Sequence, residues 1–527
     1  MARVPVANVG AVGVVKDLAP HELPPEAWSD ARNVRFFDGK GVKFLGHLQV
    51  FGTPGTAPRF AVGVPTTASY FWLYLGLEKA YAYNGSTHTD VSNVGGDYSA
   101  SVSFPWTGGL LGGVPIVNQP GDNPQMWNPA TVATPLADLS NWQADTKARI
   151  LKPFPPYLVA LNITRAGSNF LHMVKWSHPA DPGTVPSSWD QTDPTKDCGE
   201  TELADTHAGV LLDQLTLGTL NILYKESSTW GMQHIGGRNI FRFYPISGES
   251  GILSTHCVSL LGDGRHHFVA TGSDVIIHDG SNLQSVADRR WRRWLSNNID
   301  TDNFANSFTV MNLAKREAWF CFPEVGATLP TKAFVWNWGD ASTGIRELKD
   351  VAYMTPGIVV DTDDSDTWDA GAAITWEDDT RIWGDRTFNP QELAMLMLDP
   401  EASKMFQADT GQQLDGVDMK SYVERQGLAI AGVDRQGEPK VDPTIRKLVT
   451  EVWPRITGGP IFVRVGAQET PEDEIEWQTP QPFDPTVDEK VDVCVQGKYI
   501  GVRFEAEGDS PWELHGYDLE IEPIGRY

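Results

Sequence analysis

One segment of this chain concentrates the side chains best suited to gripping another macromolecule. Arg289, Arg290, Trp291, Arg292, Arg293, Trp294 and Leu295 follow one another, the only dense basic run in an acidic sequence. At helical spacing Trp291, Trp294 and Leu295 share a face, with Arg289, Arg290 and Arg293 flanking it. Arg and Trp are the types most enriched at the energetic centres of interfaces. Two readings stand. In one, the tryptophans are core and the arginines pair with local acids. In the other, Arg289, Arg290, Arg292 and Arg293 contact a neighbouring subunit or DNA.

Other candidates for chemistry are weaker. Asp361, Asp363, Asp364 and Asp366 offer the oxygen ligands that Ca²⁺ takes, but Asp366 and Ala372 stand where an EF-hand loop needs glycine and glutamate. A solvated acidic loop is expected there. His266 and His267 have no spaced third ligand nearby and read as a strand-end turn. Cys198, Cys257, Cys321 and Cys494 lie 59, 64 and 173 residues apart. That spacing excludes zinc ribbons and thioredoxin-type motifs and predicts ordinary small residues in a reducing cytosol. No G-x-S-x-G, HExxH, Walker A or GxGxxG arrangement is present. Ser187, Ser188, Trp189 and Asp190 come nearest to the Asp-box of sialidase-like propellers, in the wrong order, so the 19 tryptophans read as structural. The expectation is a protein without catalytic residues, metal or cofactor.

The elements that would position these residues are mostly strands. Gly 50 and Pro 36 punctuate short apolar runs such as 157–163, 221–227, 316–324 and 332–340. Aligned on Tyr81, Met126, Val174, Leu223, Ile277 and Val335, a small pattern recurs at spacings of 45, 48, 49, 54 and 58. A weak seventh copy falls at Ile382, Trp383 and Gly384. Periods of about 40–50 residues in β-rich sequence predict four-stranded propeller blades, about six here. A less regular β-sandwich assembly is the alternative.

From about residue 350 the texture changes. Residues 351–410 hold 13 acidic and 3 basic side chains. Asn389, Pro390 and Glu392 before 393–398, and Asp399, Pro400 and Glu401 before 402–406, carry helix-start signals. Strict alternation returns at Ile461, Val463 and Val465, at Ile500, Val502 and Phe504, and at Tyr517, Leu519 and Ile521, which predicts a half-buried antiparallel sheet. The expected domains are an N-terminal segment 1–60, a propeller 61–350, an acidic, partly helical region 351–450 and a C-terminal β module 451–527.

The 527 residues carry 68 Asp+Glu against 42 Lys+Arg, a formal charge of −26. That argues against a nucleic-acid clamp, whose affinity comes from cations on phosphates. No apolar run approaches the roughly 20 residues of a spanning helix, and the first 17 residues read as no secretory signal.

Several strings resemble the tail nozzle proteins of short-tailed bacteriophages, the tail tubular or packaged-DNA-stabilising components below the portal. They are 13–47, 154–167, 174–190, 223–237, 276–295, 317–324 and 499–526. The resemblance implies a propeller-bearing virion protein of the tail, assembled in the host cytoplasm into a ring, typically a hexamer. It implies contacts with an adaptor or head-completion ring and with tail fibre, spike or needle proteins. It also implies a lumen that passes and retains genomic DNA without reading its sequence. The competing class is a glycan-processing or carbohydrate-binding propeller.

The incomplete ligand sets at Asp361–Asp366 and His266–His267 make metal dispensable. EDTA should leave the melting temperature unchanged; a drop of several degrees restored by Ca²⁺ but not Mg²⁺ would identify a working site.

Overall fold

The computed structural model describes residues 2–66, 70–128, 131–203, 209–237, 239–359, 393–433 and 439–525. Its dominant unit is a β-propeller. Consecutive antiparallel four-stranded sheets occupy 60–90, 107–138, 146–202, 211–247 and 258–285. The strands of 308–347 form the next blade, and 353–357 and 394–408 supply three strands of a seventh, whose outer strand is His47–Val50. The first strand of each blade packs on the first strand of the next, and Tyr353–Gly357 returns to Phe60–Pro65. One blade alone would leave both faces wet; the closed circuit buries them. His47–Val50, paired antiparallel to Lys404–Ala408, ties the two ends of that circuit together.

A β-sandwich stands beside the propeller. One of its sheets is built on Trp512–Gly525, which pairs with Arg446–Gly458 on one edge and Ala2–Ala7 on the other. The facing sheet runs Asp30–Arg32, Ser421–Leu428, Tyr499–Ala506, Ile461–Gln468. The predicted alternation holds: Ile461, Val463, Val465, Ile500, Val502, Phe504, Tyr517, Leu519 and Ile521 are all buried between the sheets. Outward-facing Arg503 and Glu505 pair at 2.9 Å. Asp518 also points outward yet is buried, because Arg3 and Arg455 close over it at 2.8 and 2.6 Å. Through Val34–Phe37 and Lys40–Lys43 the sandwich is hydrogen-bonded to the blade of 308–347, so the two units share one sheet.

Two expectations are corrected. Residues 393–398 and 402–406 are not helices: Ala394–Asp399 and Lys404–Ala408 form a β-hairpin. Met395 and Met397 bury on one face, Leu396 and Leu398 on the other. A strand buried on both sides has no period-two pattern to betray it. The Asp399 signal is a turn, its carboxylate accepting the Ala402 N–H at 2.8 Å. Nor do 1–60 and 351–450 stand apart: each gives strands to both the propeller and the sandwich. Asp361–Asp366, Ile382–Gly384 and the Asn389–Glu392 cap lie outside the described residues.

Where the sandwich meets the last two blades, four charges are buried together. Arg35 lies 3.0 Å from Glu317 and 2.7 Å from Asp409. Arg346, fully buried, donates to the Gly46 carbonyl at 2.9 Å and sits 3.7 Å from Asp409. Asn312 and Trp319 donate to Asp409 and Glu317, each at 3.0 Å. Burial pushes the Glu317 carboxyl above its usual range, with Arg35 opposing. At Asp409 burial acts in the same sense, but Arg35 and Arg346 together outweigh it and hold that group ionised.

Glu317→Ala would leave the Trp319 indole without its acceptor and Arg35 with Asp409 as its one carboxylate, and should cost about 3–5 kcal/mol in chemical denaturation. Removing the exposed Lys420–Glu507 pair should cost under about 1 kcal/mol. Equal costs would mean that the buried cluster is not a special joint.

Candidate functional site

The basic run folds as a turn leading into the short helix Arg292–Asn298. Trp291 is fully buried and donates its indole N–H to Thr343 Oγ1 at 2.9 Å. Trp294 packs edge-on against it, with centroids 5.3 Å apart, and Leu295 is buried beside them. The tryptophan face is therefore core. The helix begins on a carboxylate from far away in sequence: Asp17 accepts the backbone N–H groups of Arg293 and Trp294 at 2.8 and 2.9 Å. That carboxylate satisfies two of the donors a helix start leaves unpaired. The Arg290 carbonyl in turn accepts the N–H groups of Lys16 and Asp17.

The arginines face outward. Arg290 donates to the Ala341 carbonyl at 3.0 Å, Arg292 to that of Ser273 at 3.1 Å and Arg293 to that of Asp17 at 3.3 Å. Arg289, at φ +58°, is the most exposed, with only Asp288 at 4.0 Å. Among the described residues no carboxylate lies within 4.0 Å of the side-chain nitrogens of Arg290, Arg292 or Arg293. Carbonyls orient these cations without neutralising them, so the patch keeps its positive charge.

A small cavity lies where the first strands of several blades begin. Phe60, His256, Phe308 and Tyr353 converge there, with centroid separations of 5.6 Å for Phe60–His256, 4.9 Å for Phe60–Tyr353, 5.0 Å for His256–Tyr353 and 5.8 Å for Phe308–Tyr353. His256 Nε2 donates to the Trp106 carbonyl at 2.8 Å, joining the approaches to the fifth and second blades across the ring. Beneath lies a buried ion pair, Lys152 to Asp213 at 2.6 Å, whose carboxylate also accepts the His256 N–H.

His266 and His267 diverge, as adjacent strand residues must. His266 caps its turn against Asp263 at 2.5 Å. His267 is fully buried, and together with His278 it brackets the Tyr224 hydroxyl at 2.8 and 2.6 Å. Sequence reading missed this triad because its members come from two blades. Cys198, Cys257 and Cys321 are buried and Cys494 is exposed. Among the described residues no group of three His, Cys, Asp or Glu side chains is placed to hold a metal, and no helix is long and apolar enough to cross a membrane.

No family model and no curated protein matches the chain. Among solved structures it is similar to the WD40 β-propeller domain of Doa1, with TM-score 0.36, 8% identity, and 70% of this chain and 97% of that one covered. It is also similar to a fungal alcohol oxidase of the AA5 family in complex with copper, with TM-score 0.41, 10% identity, and 90% and 92% covered. A candidate 6-phosphogluconolactonase from Bacteroides fragilis NCTC 9343 follows, with TM-score 0.34, 10% identity, and 72% and 92% covered. At such scores none of their activities, nor the copper, carries over to this chain.

Burial holds four imidazoles neutral: His47, His256 and His278 have their pKa lowered to about 4 and His267 to about 3, from 6.5. The unfolded chain takes up these protons first. The stability they contribute is therefore complete above pH 6.5 and lost as the pH falls toward 4. At roughly 1.4 kcal/mol per unit the loss should reach several kcal/mol. The melting temperature should fall steadily between pH 6.5 and 4.5; a flat profile there would overturn this account.

Proposed function

We propose that the chain is a structural virion protein: the tail nozzle of a short-tailed bacteriophage. It would assemble as a ring, sixfold, below the portal and adaptor, and conduct and retain the genome. The order and spread of the resembling strings carry this reading. They also fall on one connected body. Trp28, from the opening string, packs against Phe504 and Tyr517 of the closing one at 6.3 and 6.2 Å. Asp17, also of the opening string, holds the helix of the string 276–295.

Two physical features support the assignment. The rings of Phe60, His256, Phe308 and Tyr353 pack together where the first strands of their blades begin, and a conduit between copies, as a ring provides, would not have to cross them. A ring of six would carry about six times −26, near −156, and a negative wall repels phosphates so that DNA slides. In this reading the outward-facing Arg289, Arg290, Arg292 and Arg293 are the cationic exception, placed for a neighbouring subunit or for DNA.

Purified particles and purified protein, imaged side by side, test the assignment: a ring on the tail is expected, and a monomer with glycan turnover would replace it with a glycan-processing propeller. The double variant Arg292→Ala/Arg293→Ala should melt within about 1 kcal/mol of the parent, since exposed charges contribute little to folding. It should nonetheless fail to join particles, or release packaged genome early. Stable, infectious particles carrying it would return the patch to ordinary scaffold.

A further inference from the structure

A different surface, on the flank of the sandwich, is built to receive a chain segment. Among the described residues Val491–Gly497 is the last strand of its sheet: Arg446–Gly458 pairs with it on one side and no strand is hydrogen-bonded to it on the other. The Cys494 carbonyl is turned to the open side, where it accepts the Gln478 side-chain amide at 2.5 Å. Ladder alternation turns the backbone groups of Gln496 the same way. Open edges are normally blunted by charges, proline, bulges or a covering element. Here a register shift opposite Val449–Glu451 and the Gln478 amide blunt the middle of the strand, and Val495–Gly497, regularly paired with Lys447–Val449 and free of lysine and proline, is the part left open.

A groove runs along that edge, with Trp477 on its far wall and Val495 in its floor. The wall is held close by missing side chains: a Cβ on Gly501 would stand 2.1 Å from Ile475 and 3.2 Å from Trp477. The rim is acidic. Glu469 is paired with Arg446 at 2.7 Å, whereas Asp473, Glu474 and Glu476 have no cation within 4.0 Å among the described residues.

We propose that Val491–Gly497 and this groove bind an extended, basic peptide segment of a partner protein as an added β-strand. The open backbone edge supplies the hydrogen bonds, Trp477 an apolar contact for alternate side chains, and the unpaired carboxylates the choice of a cationic strand. This assignment rests on the sandwich alone and stands whatever the propeller does.

Cys494, the exposed cysteine beside three buried ones, reports on occupancy. The probe is a short acetylated peptide alternating lysine and valine, compared with its glutamate–valine counterpart and with a version carrying proline at the valine positions. The lysine peptide should slow iodoacetamide alkylation of Cys494 by about fivefold or more at saturation, and the other two should change it by less than about twofold. Glu474→Lys/Glu476→Lys, two exposed positions, should abolish the protection while melting like the parent. Absence of protection by the lysine peptide, equal protection by the glutamate peptide, or protection surviving the double reversal would each overturn the proposal.

Discussion

The joint formed by Arg35, Glu317, Asp409 and Arg346 is the constraint on which the rest of the structure depends. Each comes from a different part of the chain: the sandwich hairpin, two strands of the blade 308–347, and the residue just beyond the strand Lys404–Ala408. Removing four charges from water is expensive, and mutual attraction offsets that expense only when the geometry is nearly complete. Two guanidinium groups face two carboxylates, and Asn312, Trp319 and the Gly46 carbonyl add hydrogen bonds, while Arg35 Nε and Arg346 Nε and Nη1 make none. Apolar packing alone tolerates slippage. A charge cluster that loses one member leaves the others stranded, so it fixes which surfaces meet.

Ring closure follows from the same joint. Arg346 holds the carbonyl of Gly46, immediately before the strand His47–Val50 that completes the seventh blade. The chain therefore begins in the sandwich, crosses the joint, closes the propeller, travels round it and returns to the sandwich. Neither unit can be finished without the other. The aromatic cluster, crossed by the His256–Trp106 bond, ties the starts of the inner strands together. The cationic turn follows the fifth blade, and the open strand edge lies on the flank of the sandwich.

Sequence alone reached the strands but not their partnerships. Five of the six repeat anchors, Tyr81, Met126, Val174, Ile277 and Val335, lie on the third strand of their blades, and Leu223 lies on a second strand. A third strand is bounded by turns on both sides, which is why its pattern is visible. The sandwich was legible wherever one face was wet, as along 499–506. The propeller strand along 394–398, where both faces are dry, was illegible. Nothing local announced that Ala2–Ala7 would pair with 516–521, or that Arg35 would find Glu317 across 282 positions; such contacts depend on topology, which periodicity does not encode.

The basic turn shows why the two sequence readings of one segment were not true alternatives. Burial of Trp291 and Leu295 makes half of it core, as the plainer reading held. Arg289 faces Asp288 at 4.0 Å, but Arg290, Arg292 and Arg293 have no carboxylate within 4.0 Å among the described residues. They meet the carbonyls of Ala341, Ser273 and Asp17, and the difference is physical. A carboxylate would cancel a guanidinium's charge and end its reach. A carbonyl accepts one of its five donors and leaves the positive charge, with the remaining donors, for something else. Carbonyl bonds thus aim and partly order these side chains before any partner arrives, which lowers the entropy lost on contact. Three such cations in a −26 chain keep donors free for the docking role proposed for them.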